Sequence, residues 1–220
     1  MTRTDKGYRG VGMEGPIARW YATSTAKDTS RFEAQIDAVR RLAPAGAEIL
    51  EVAPGPGYLS IALAATGDYT VTGLDISETF VRIAGEKAAE AGVAADFRHG
   101  NASAMPFDDE SFDFIVCCAA FKNFSDPAGA LREMHRVLRP GGRVLINDLR
   151  KDVSKEAVAA DVARMRAGAL SKVFIRYALQ SFLPRRAYLK GQLEELVSRT
   201  DFRTCDIRQS PLSLDVELQK

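Results

Sequence analysis

Hydrophobic residues follow two different periods along this 220-residue chain, and the change of period predicts its elements. Compact apolar runs bounded by turn residues predict strands near 48–52, 70–75, 94–98, 112–118 and 143–148. Apolar residues at helical spacing between those runs predict helices near 57–66, 78–91 and 126–138. Because strands alternate with helices and the run 114–118 is continuously apolar, we expect a mostly parallel sheet covered on both faces. The predicted fold class is α/β and doubly wound, and such sheets bind ligands beyond the carboxyl ends of their strands.

The two ends of the chain depart from this alternation. An amphipathic stretch at 32–42 predicts a helix, and residues 1–15, which contain four glycines, are expected to be loose until something orders them. Past residue 150, helical segments are predicted near 153–166, 170–181 and 185–199, and strand-like runs follow at 202–208 and 212–218. The pattern predicts a single domain with an N-terminal helical cap at 1–44, an alternating core at 45–150, a helical stretch at 151–200 and strand-like runs within 201–220.

Two acids mark the ends of the first two predicted strands. The first apolar run ends in Glu51 and leads into a turn with two prolines and two glycines, Gly55 and Gly57, before a helical pattern begins. Glycine lets the main chain approach a ligand closely, and the prolines stiffen the turn. The second run ends in Asp75, at the spacing at which a nucleotide-binding α/β unit places an acid on ribose hydroxyls. These features predict a nucleoside site.

Five motifs occur in order between about residues 45 and 150, and together they resemble a known family. They are Glu51-x-Ala53-x-Gly55-x-Gly57, the pentapeptide at 73–77, and the stretches at 100–107, 112–116 and 133–142. The set resembles the class I S-adenosylmethionine-dependent methyltransferases, in particular the ubiquinone/menaquinone-biosynthesis type of small-molecule methyltransferase. The resemblance implies a Rossmann-like, mostly parallel seven-stranded sheet with an antiparallel C-terminal hairpin and a helical lid, and it makes 151–200 the acceptor region. The family motif has glycine where this chain has Ala53, a methyl group that is tolerated if the loop does not need positive φ.

The resemblance also implies S-adenosylmethionine as cofactor, S-adenosylhomocysteine as product, and a role for particular residues. Glu51 would orient the glycine loop and receive the cofactor's ammonium group, and Asp75 would accept both ribose hydroxyls. Ile76 would stack on adenine, Asn101 would accept a hydrogen bond from its amino group, and Tyr21 would close over the methionine end. The full predicted cofactor-binding set is Tyr21, Glu51, Ala53, Gly55, Gly57, Asp75, Ile76, Asn101, Ala102 and Cys118.

Several of these residues have a structural alternative. Glu51 could be a surface acid that caps the next helix, and Asp75 could be an N-cap, although Ser77 can fill that role. Trp20 and Tyr21 could instead pack an N-terminal helix on the sheet.

Catalytic residues are not identified beyond two weak candidates. Lys122 and Asn123 follow the fourth predicted strand and could orient an acceptor hydroxyl, although Lys122 could equally be a solvated lysine. Cys117 and Cys118 are expected to be buried structural thiols, one toward each face of the strand. Neither histidine is a convincing general base, and no metal is expected because the candidate acids do not group as a Mg²⁺ site.

The predicted lid is rich in basic and aromatic side chains. They are Arg164, Arg166, Lys172, Arg176, Arg185, Arg186 and Lys190, with Met165, Phe174, Tyr177, Phe182 and Tyr188. Under one interpretation they form an amphipathic lid with a solvated basic face. Under the other, some arginines hold a carboxylate or phosphate of the acceptor while the aromatic rings wall its apolar body.

Composition limits the partners. The formal charge of +1 gives no general attraction to nucleic acid or to an anionic membrane, and no apolar run is long enough to span a bilayer, so a cytoplasmic protein is expected. The expected partner is a small-molecule acceptor, and a homodimer is a further candidate.

Three functions remain open at this point. The first hypothesis is in-line SN2 transfer of a methyl group to an oxygen, nitrogen or carbon nucleophile. The alternative is a non-catalytic nucleoside-binding protein on a degenerate methyltransferase fold. A nicotinamide dehydrogenase is a third option, but its Gly-x-Gly-x-x-Gly turn is incomplete here.

Overall fold

The computed structural model describes residues 7–10, 12–25, 32–165 and 168–220. Within that part of the chain, seven strands form one sheet. They are β1 Glu48–Val52, β2 Thr70–Asp75, β3 Ala95–His99, β4 Phe112–Cys118, β5 Leu138–Leu149, β6 Thr204–Gln209 and β7 Ser213–Gln219.

The strand order is β3-β2-β1-β4-β5-β7-β6. The first five strands are parallel, β7 runs antiparallel to β5, and β6 runs antiparallel to β7. The order reverses between β1 and β4, which is the switch point of a doubly wound sheet. The predicted α/β fold, with its mostly parallel sheet and antiparallel C-terminal hairpin, is confirmed.

Helices cover both faces of this sheet. They are α1 Gly15–Thr25, α2 Glu33–Leu42, α3 Tyr58–Ala64, α4 Glu78–Ala91, α5 Pro127–Val137, α6 Lys155–Arg164, α7 Ala169–Ser181 and α8 Lys190–Val197. A short 3-10 turn, Phe121–Asn123, follows β4. Of the lid residues named above, Arg166 lies outside the described residues, as does the side chain of Phe174.

Two elements differ from their predicted bounds by more than two residues. Strand β5 begins at Leu138, five residues before the predicted start at 143, and its pairing with β4 is irregular between Phe112 and Phe114. Helix α8 begins only at Lys190 and not at 185, because turns at 183–187 precede it, in which the Ala187 amide donates to the Pro184 carbonyl.

Alternation along β4 divides the core into two layers. Phe114 and Val116 pack with the cluster that includes residues of α2 and α3, whereas Ile115 and Cys117 pack with the cluster that includes residues of α5 and α8. Cys117 is fully buried and Cys118 is half-buried against the α2/α3 cluster, as expected for thiols on opposite faces of one strand.

The N-terminal helix α1 packs on α4 and not on the sheet. Ala18 and Ala22 are buried against Phe80 and Ile83, and the Tyr21 ring lies edge-on to Phe80 at 5.9 Å. Trp20 is 63% exposed, so its predicted packing on the sheet is wrong. The apolar face of α1 is supplied by small residues, which leaves the indole outside.

Candidate functional site

The glycine turn lies at the switch point, between the end of β1 and the start of α3. Its backbone is left-handed at three of five positions, with φ of 60° at Ala53, 56° at Gly55 and 80° at Gly57. The condition under which the methyl group at position 53 is tolerated without cost, a loop that does not need positive φ, is therefore not met, and Ala53 holds a conformation that favours glycine. At Gly57 an added Cβ would lie 2.8 Å from the Cβ of Ala84, whereas at Gly55 it would meet no atom within 4 Å. The turn is thus packed against α4 at one glycine and open at the other.

Asp75 joins this turn to the end of β2. Its carboxylate accepts hydrogen bonds from the Gly55 amide (2.9 Å) and the Ser77 amide (2.8 Å), and the side chain is only 5% exposed. Burial raises the pKa of Asp75 to about 6, against the lowering effect of those two amides. The N-cap of α4 is Ser77, whose hydroxyl accepts from the Phe80 amide, so Asp75 is not the cap. Each carboxylate oxygen retains a lone pair for a further donor.

Glu51 lies inside the protein at the end of β1, opposite Gly73 and Val116 of the neighbouring strands. It is 3% exposed and accepts a hydrogen bond of 2.5 Å from the Ser60 hydroxyl. Burial raises the pKa of Glu51 to about 7, and the nearby charge of Asp75 acts in the same direction. The surface-acid alternative is therefore wrong. Ser60 was not predicted, although a polar residue in the otherwise apolar α3 was a signal for it.

Two predicted adenine-site residues lie under the N-terminal segment 7–10. A Cβ at Gly7 would collide with Ile76 Cδ1 and lie 3.1 Å from Asn101 Cγ, so the main chain of Gly7 packs directly on both side chains. The Asn101 carbonyl oxygen already accepts from the Ser103 amide at 2.9 Å and keeps one lone pair. Ala102, beside it, is half-buried against the main core cluster.

The segment 7–10 is anchored to the loop that follows β4. The Ser125 amide donates to the Gly7 carbonyl (3.3 Å), the Arg9 amide donates to the Asn123 carbonyl (2.8 Å), and Tyr8 forms a bridge with Phe124. The loop after β4 thus orders residues 7–10 of a segment expected to be loose until something orders it.

Tyr8, which nothing in the sequence singled out, directly follows the Gly7 that packs on Ile76 and Asn101. Burial raises the pKa of its phenol, the charge of Arg186 lowers it, and Tyr21 and Asp75 raise it further. The phenol therefore lies within electrostatic reach of Asp75, Tyr21 and the lid. Between glycines in a segment without periodicity, Tyr8 gave no sequence signal.

Lys122 points into the protein, where it forms a buried ion pair with Asp148 at the end of β5. The Lys122 side chain is 5% exposed; its Nζ donates to Asp148 Oδ1 (2.7 Å) and to the Ala119 carbonyl (2.5 Å), and its amide donates to Asp148 Oδ2 (2.7 Å). The solvated-lysine alternative is wrong, because an acid from the neighbouring strand compensates the buried charge. Asp148 was missed, although it ends an apolar run as Glu51 and Asp75 do.

The remaining candidates are the two adjacent cysteines, Asn123 and His135. Burial raises the pKa values of Cys117 and Cys118 well above the usual range, which disfavours a nucleophilic thiolate at either position. Asn123 contributes main-chain bonds to the turn and to Arg9. His135 lies edge-on to the Phe202 ring at 5.1 Å, in keeping with a packing role. No group of three or more metal-ligating side chains occurs among the residues that the structure describes, and metal independence stays a prediction.

The structure thus brings Glu51, Ala53, Gly55, Gly57 and Asp75 together at adjacent ends of β1 and β2. Cys118 ends β4 on the other side of β1, and Tyr21 lies on α1. Glycine-lined backbone, two buried acids and an apolar side chain at 76 suit a nucleoside that carries an ammonium group. The donor set therefore fits S-adenosylmethionine.

Comparison with known proteins shows that the core of this chain is similar to methyltransferases. Residues 50–146 match the family model described as "Methyltransferase domain". A demethylmenaquinone methyltransferase of Clavibacter sepedonicus is 38% identical over 113 residues, which cover 51% of this chain and 45% of that protein. A ubiquinone/menaquinone biosynthesis C-methyltransferase of Idiomarina loihiensis is 35% identical over 130 residues, 56% of this chain and 49% of that protein.

These matches span about half the length of the curated relatives. In fold, a crystal structure of an S-adenosylmethionine-dependent methyltransferase from Aquifex aeolicus matches with a TM-score of 0.69 at 18% identity, over 90% of this chain and 97% of the other. No helix among the described residues is both long and apolar enough to cross a membrane. Residues 50–146 thus match a methyltransferase domain, and the chain resembles the class I S-adenosylmethionine-dependent methyltransferases of the ubiquinone/menaquinone-biosynthesis type.

Proposed function

We propose that this protein transfers a methyl group from S-adenosylmethionine to a small-molecule acceptor. The observation that carries the proposal is the buried Asp75 carboxylate, bonded to Gly55 of an open glycine turn at the switch point of the sheet. This arrangement offers ribose acceptors next to a backbone that a ligand can approach closely.

Each cofactor-site residue has a proposed role. Asp75 accepts the ribose hydroxyls, Glu51 holds the turn through Ser60 and receives the ammonium group directly or through water, and Ile76 and Asn101 bind adenine. Tyr21, Ala102 and Cys118 wall the site, and the phenol of Tyr8 joins them.

Catalysis is proposed to come from alignment. The sulfonium of the bound cofactor supplies an already activated methyl group, so the protein's task is to hold the acceptor in line and to exclude water. The Lys122–Asp148 pair fixes the backbone of 119–123, which borders the acceptor side, and the segment 7–10 covers Ile76 and Asn101. Lys122 acts as a positioning residue because its ammonium group is already occupied, and Asn123 remains a candidate contact to the acceptor.

The acceptor class is proposed from the relatives. Their names specify demethylmenaquinone and ubiquinone/menaquinone precursors, which favours a hydroxylated aromatic ring with carbon as the nucleophile. The family-model match ends at residue 146, before the predicted acceptor region at 151–200, so oxygen and nitrogen nucleophiles stay in the proposal.

The wider organisation is proposed as it was predicted. Residues 1–44 cap the site, 45–150 bind the cofactor, 151–200 cover the acceptor, and 201–220 close the sheet of the same domain. We further propose a cytoplasmic, metal-independent enzyme, with a homodimer as one candidate assembly and no nucleic acid partner.

Product formation tests the proposal. Purified protein is incubated with S-adenosylmethionine and a panel of hydroxylated aromatic acceptors, and S-adenosylhomocysteine is quantified by mass spectrometry. Acceptor-dependent formation of S-adenosylhomocysteine supports methyl transfer. Tight cofactor binding with no turnover on any acceptor would favour the non-catalytic binding protein, for which the strained Ala53 in the family's glycine motif is the supporting observation.

A further inference from the structure

A basic cavity of about 400 Å³ lies beside the proposed acceptor side. Its charged lining comes from four parts of the chain: the segment 7–10, the turn after β5, the turns before α8, and α8 with the turn that follows it. These residues are Arg9, Lys151, Arg185, Arg186, Glu195 and Arg199.

The charges in this cavity are not balanced. Glu195 pairs with Arg199 at 2.5 Å, and the Arg9 guanidinium donates to a neutral acceptor, the Ser125 carbonyl, at 3.3 Å. Within the described part of the chain, Lys151, Arg185 and Arg186 have no carboxylate partner. Elsewhere in the lid, Arg164 pairs with Asp161 and Lys190 with Glu194, whereas the structure gives Lys172 only a carbonyl acceptor. Four cations without a carboxylate partner among the described residues, Arg9, Lys151, Arg185 and Arg186, therefore line this one cavity.

One residue of the cavity lining, Tyr188, carries a buried polar atom. The Tyr188 hydroxyl is closed to solvent and has no hydrogen-bond partner among the described residues. Its ring contacts Phe121, in the turn after β4, at 5.9 Å. Burial raises the pKa of Tyr188, the charge of Arg9 lowers it, and that of Asp148 raises it.

The cavity also adjoins the proposed cofactor site. Gly7 packs on Ile76 and Asn101, and Arg9, two residues later, lines the cavity. Two residues of extended chain span at most about 7 Å. Tyr8 lies between them in the chain, and the charges of Asp75 and Arg186 both shift the pKa of its phenol. The segment 7–10 therefore connects the cavity with the proposed adenine side of the cofactor site.

We propose that this cavity binds an oxyanion group, a phosphate or a carboxylate, carried by the methyl acceptor. The proposal rests on the proposed function and narrows its substrate class to anionic acceptors. Arg185 and Arg186 supply planar guanidinium forks that match the geometry of phosphate and carboxylate oxygens, and Arg9 and Lys151 supply further positive charge.

The test is calorimetric titration of the full chain with inorganic pyrophosphate and, separately, with succinate, each with and without saturating S-adenosylhomocysteine. The variant is Arg185→Gln/Arg186→Gln. The matched control is Arg40→Gln/Arg41→Gln, which removes two adjacent exposed arginines from α2. We expect the lid variant to weaken binding of the preferred anion at least tenfold and the control to change it less than twofold. Stronger binding of pyrophosphate identifies a phosphate, and stronger binding of succinate identifies a carboxylate.

Two results would overturn the proposal: no binding of either anion to the wild-type chain, or an equal loss in both variants, which indicates nonspecific charge attraction. Titration with S-adenosylhomocysteine alone separates this proposal from the proposed function. If pyrophosphate binding depends on Arg185 and Arg186 but S-adenosylhomocysteine does not bind, the anion site stands and the methyltransferase proposal fails. If S-adenosylhomocysteine binds and the anion titrations fail, the methyltransferase proposal stands and the anion site fails.

Discussion

At the scale of single residues, the site depends on two acids that the fold has removed from water. Glu51 and Asp75 end neighbouring strands, and their pKa values are raised to about 7 and about 6 because burial disfavours the charged form. A ligand that offers an ammonium group and hydroxyls would compensate this cost. Without such a ligand, the cost of burying the two carboxylates is not compensated.

Stability should therefore depend on the ionisation of Glu51. Its pKa rises from 4.5 in the unfolded chain to about 7 in the folded one, so the folded state holds the proton more tightly and stability falls as pH rises between these values. From pH 5 to pH 8 this group should lower the free energy of unfolding by about 2–3 kcal/mol. Urea unfolding across that range measures the effect, with Glu51→Gln as reference. Parallel curves for the two proteins would show that Glu51 does not titrate in this window.

Strain at Ala53 gives a second prediction. Its φ of 60° costs alanine but not glycine, so Ala53→Gly should stabilise the protein by about 0.5–1 kcal/mol after the added entropy of the unfolded chain is included. The same exchange at Ala160, exposed within α6, should destabilise by about 1 kcal/mol. Thermal unfolding of the two variants should thus shift in opposite directions. A loss of stability in Ala53→Gly would show that the backbone at Ala53 is not strained.

The positions of polar residues were predictable where they end a strand beside a recognisable turn, as for Glu51 and Asp75. The sequence left the surroundings of Lys122 open, because its partner Asp148 is 26 residues away and reaches it only through the pairing of β4 with β5. The position of Tyr8 in the fold could not be predicted for a similar reason, since it depends on a bridge to Phe124.

At the scale of elements, the alternation of periods predicted every strand and helix of the parallel core. Strand β5 was predicted too short because Pro140 and Gly141 indicate a turn, yet the backbone there remains in the sheet. Helix α8 was predicted too long because its pattern continues through the turns that begin at Pro184. Local propensity thus located the elements, and pairing between distant segments decided their ends.

The Lys122–Asp148 pair ties the turn after β4 to the end of β5, and its loss should cost more than that of a surface charge. Lys122→Met leaves a buried carboxylate without its cation, so we expect a loss of about 3–5 kcal/mol in the free energy of unfolding. Lys155→Met, on the exposed first turn of α6, should change it by less than about 0.5 kcal/mol. Similar small effects in chemical unfolding of both variants would mean that the pair does not hold the turn.

At the scale of the whole molecule, one sheet carries two functional regions at the same edge. The ends of β1 and β2 present the proposed cofactor site, and the ends of β4 and β5, with the lid, present the proposed acceptor side. The segment 7–10 runs from one to the other. The sequence could not predict this connection, because it depends on where an aperiodic N-terminus crosses the folded sheet.

Calorimetric titration with S-adenosylmethionine and S-adenosylhomocysteine tests the central claim most directly. Asp75→Ala is measured beside the wild-type chain, and Asp96→Ala, on the exposed part of the neighbouring strand β3, serves as control. We expect one equivalent of each ligand to bind to the wild type and to the control, and a loss of about 1.5–3 kcal/mol in Asp75→Ala, as for a hydrogen bond to a charged group. Failure of both ligands to bind the wild type, or equal affinity in all three proteins, would contradict the account.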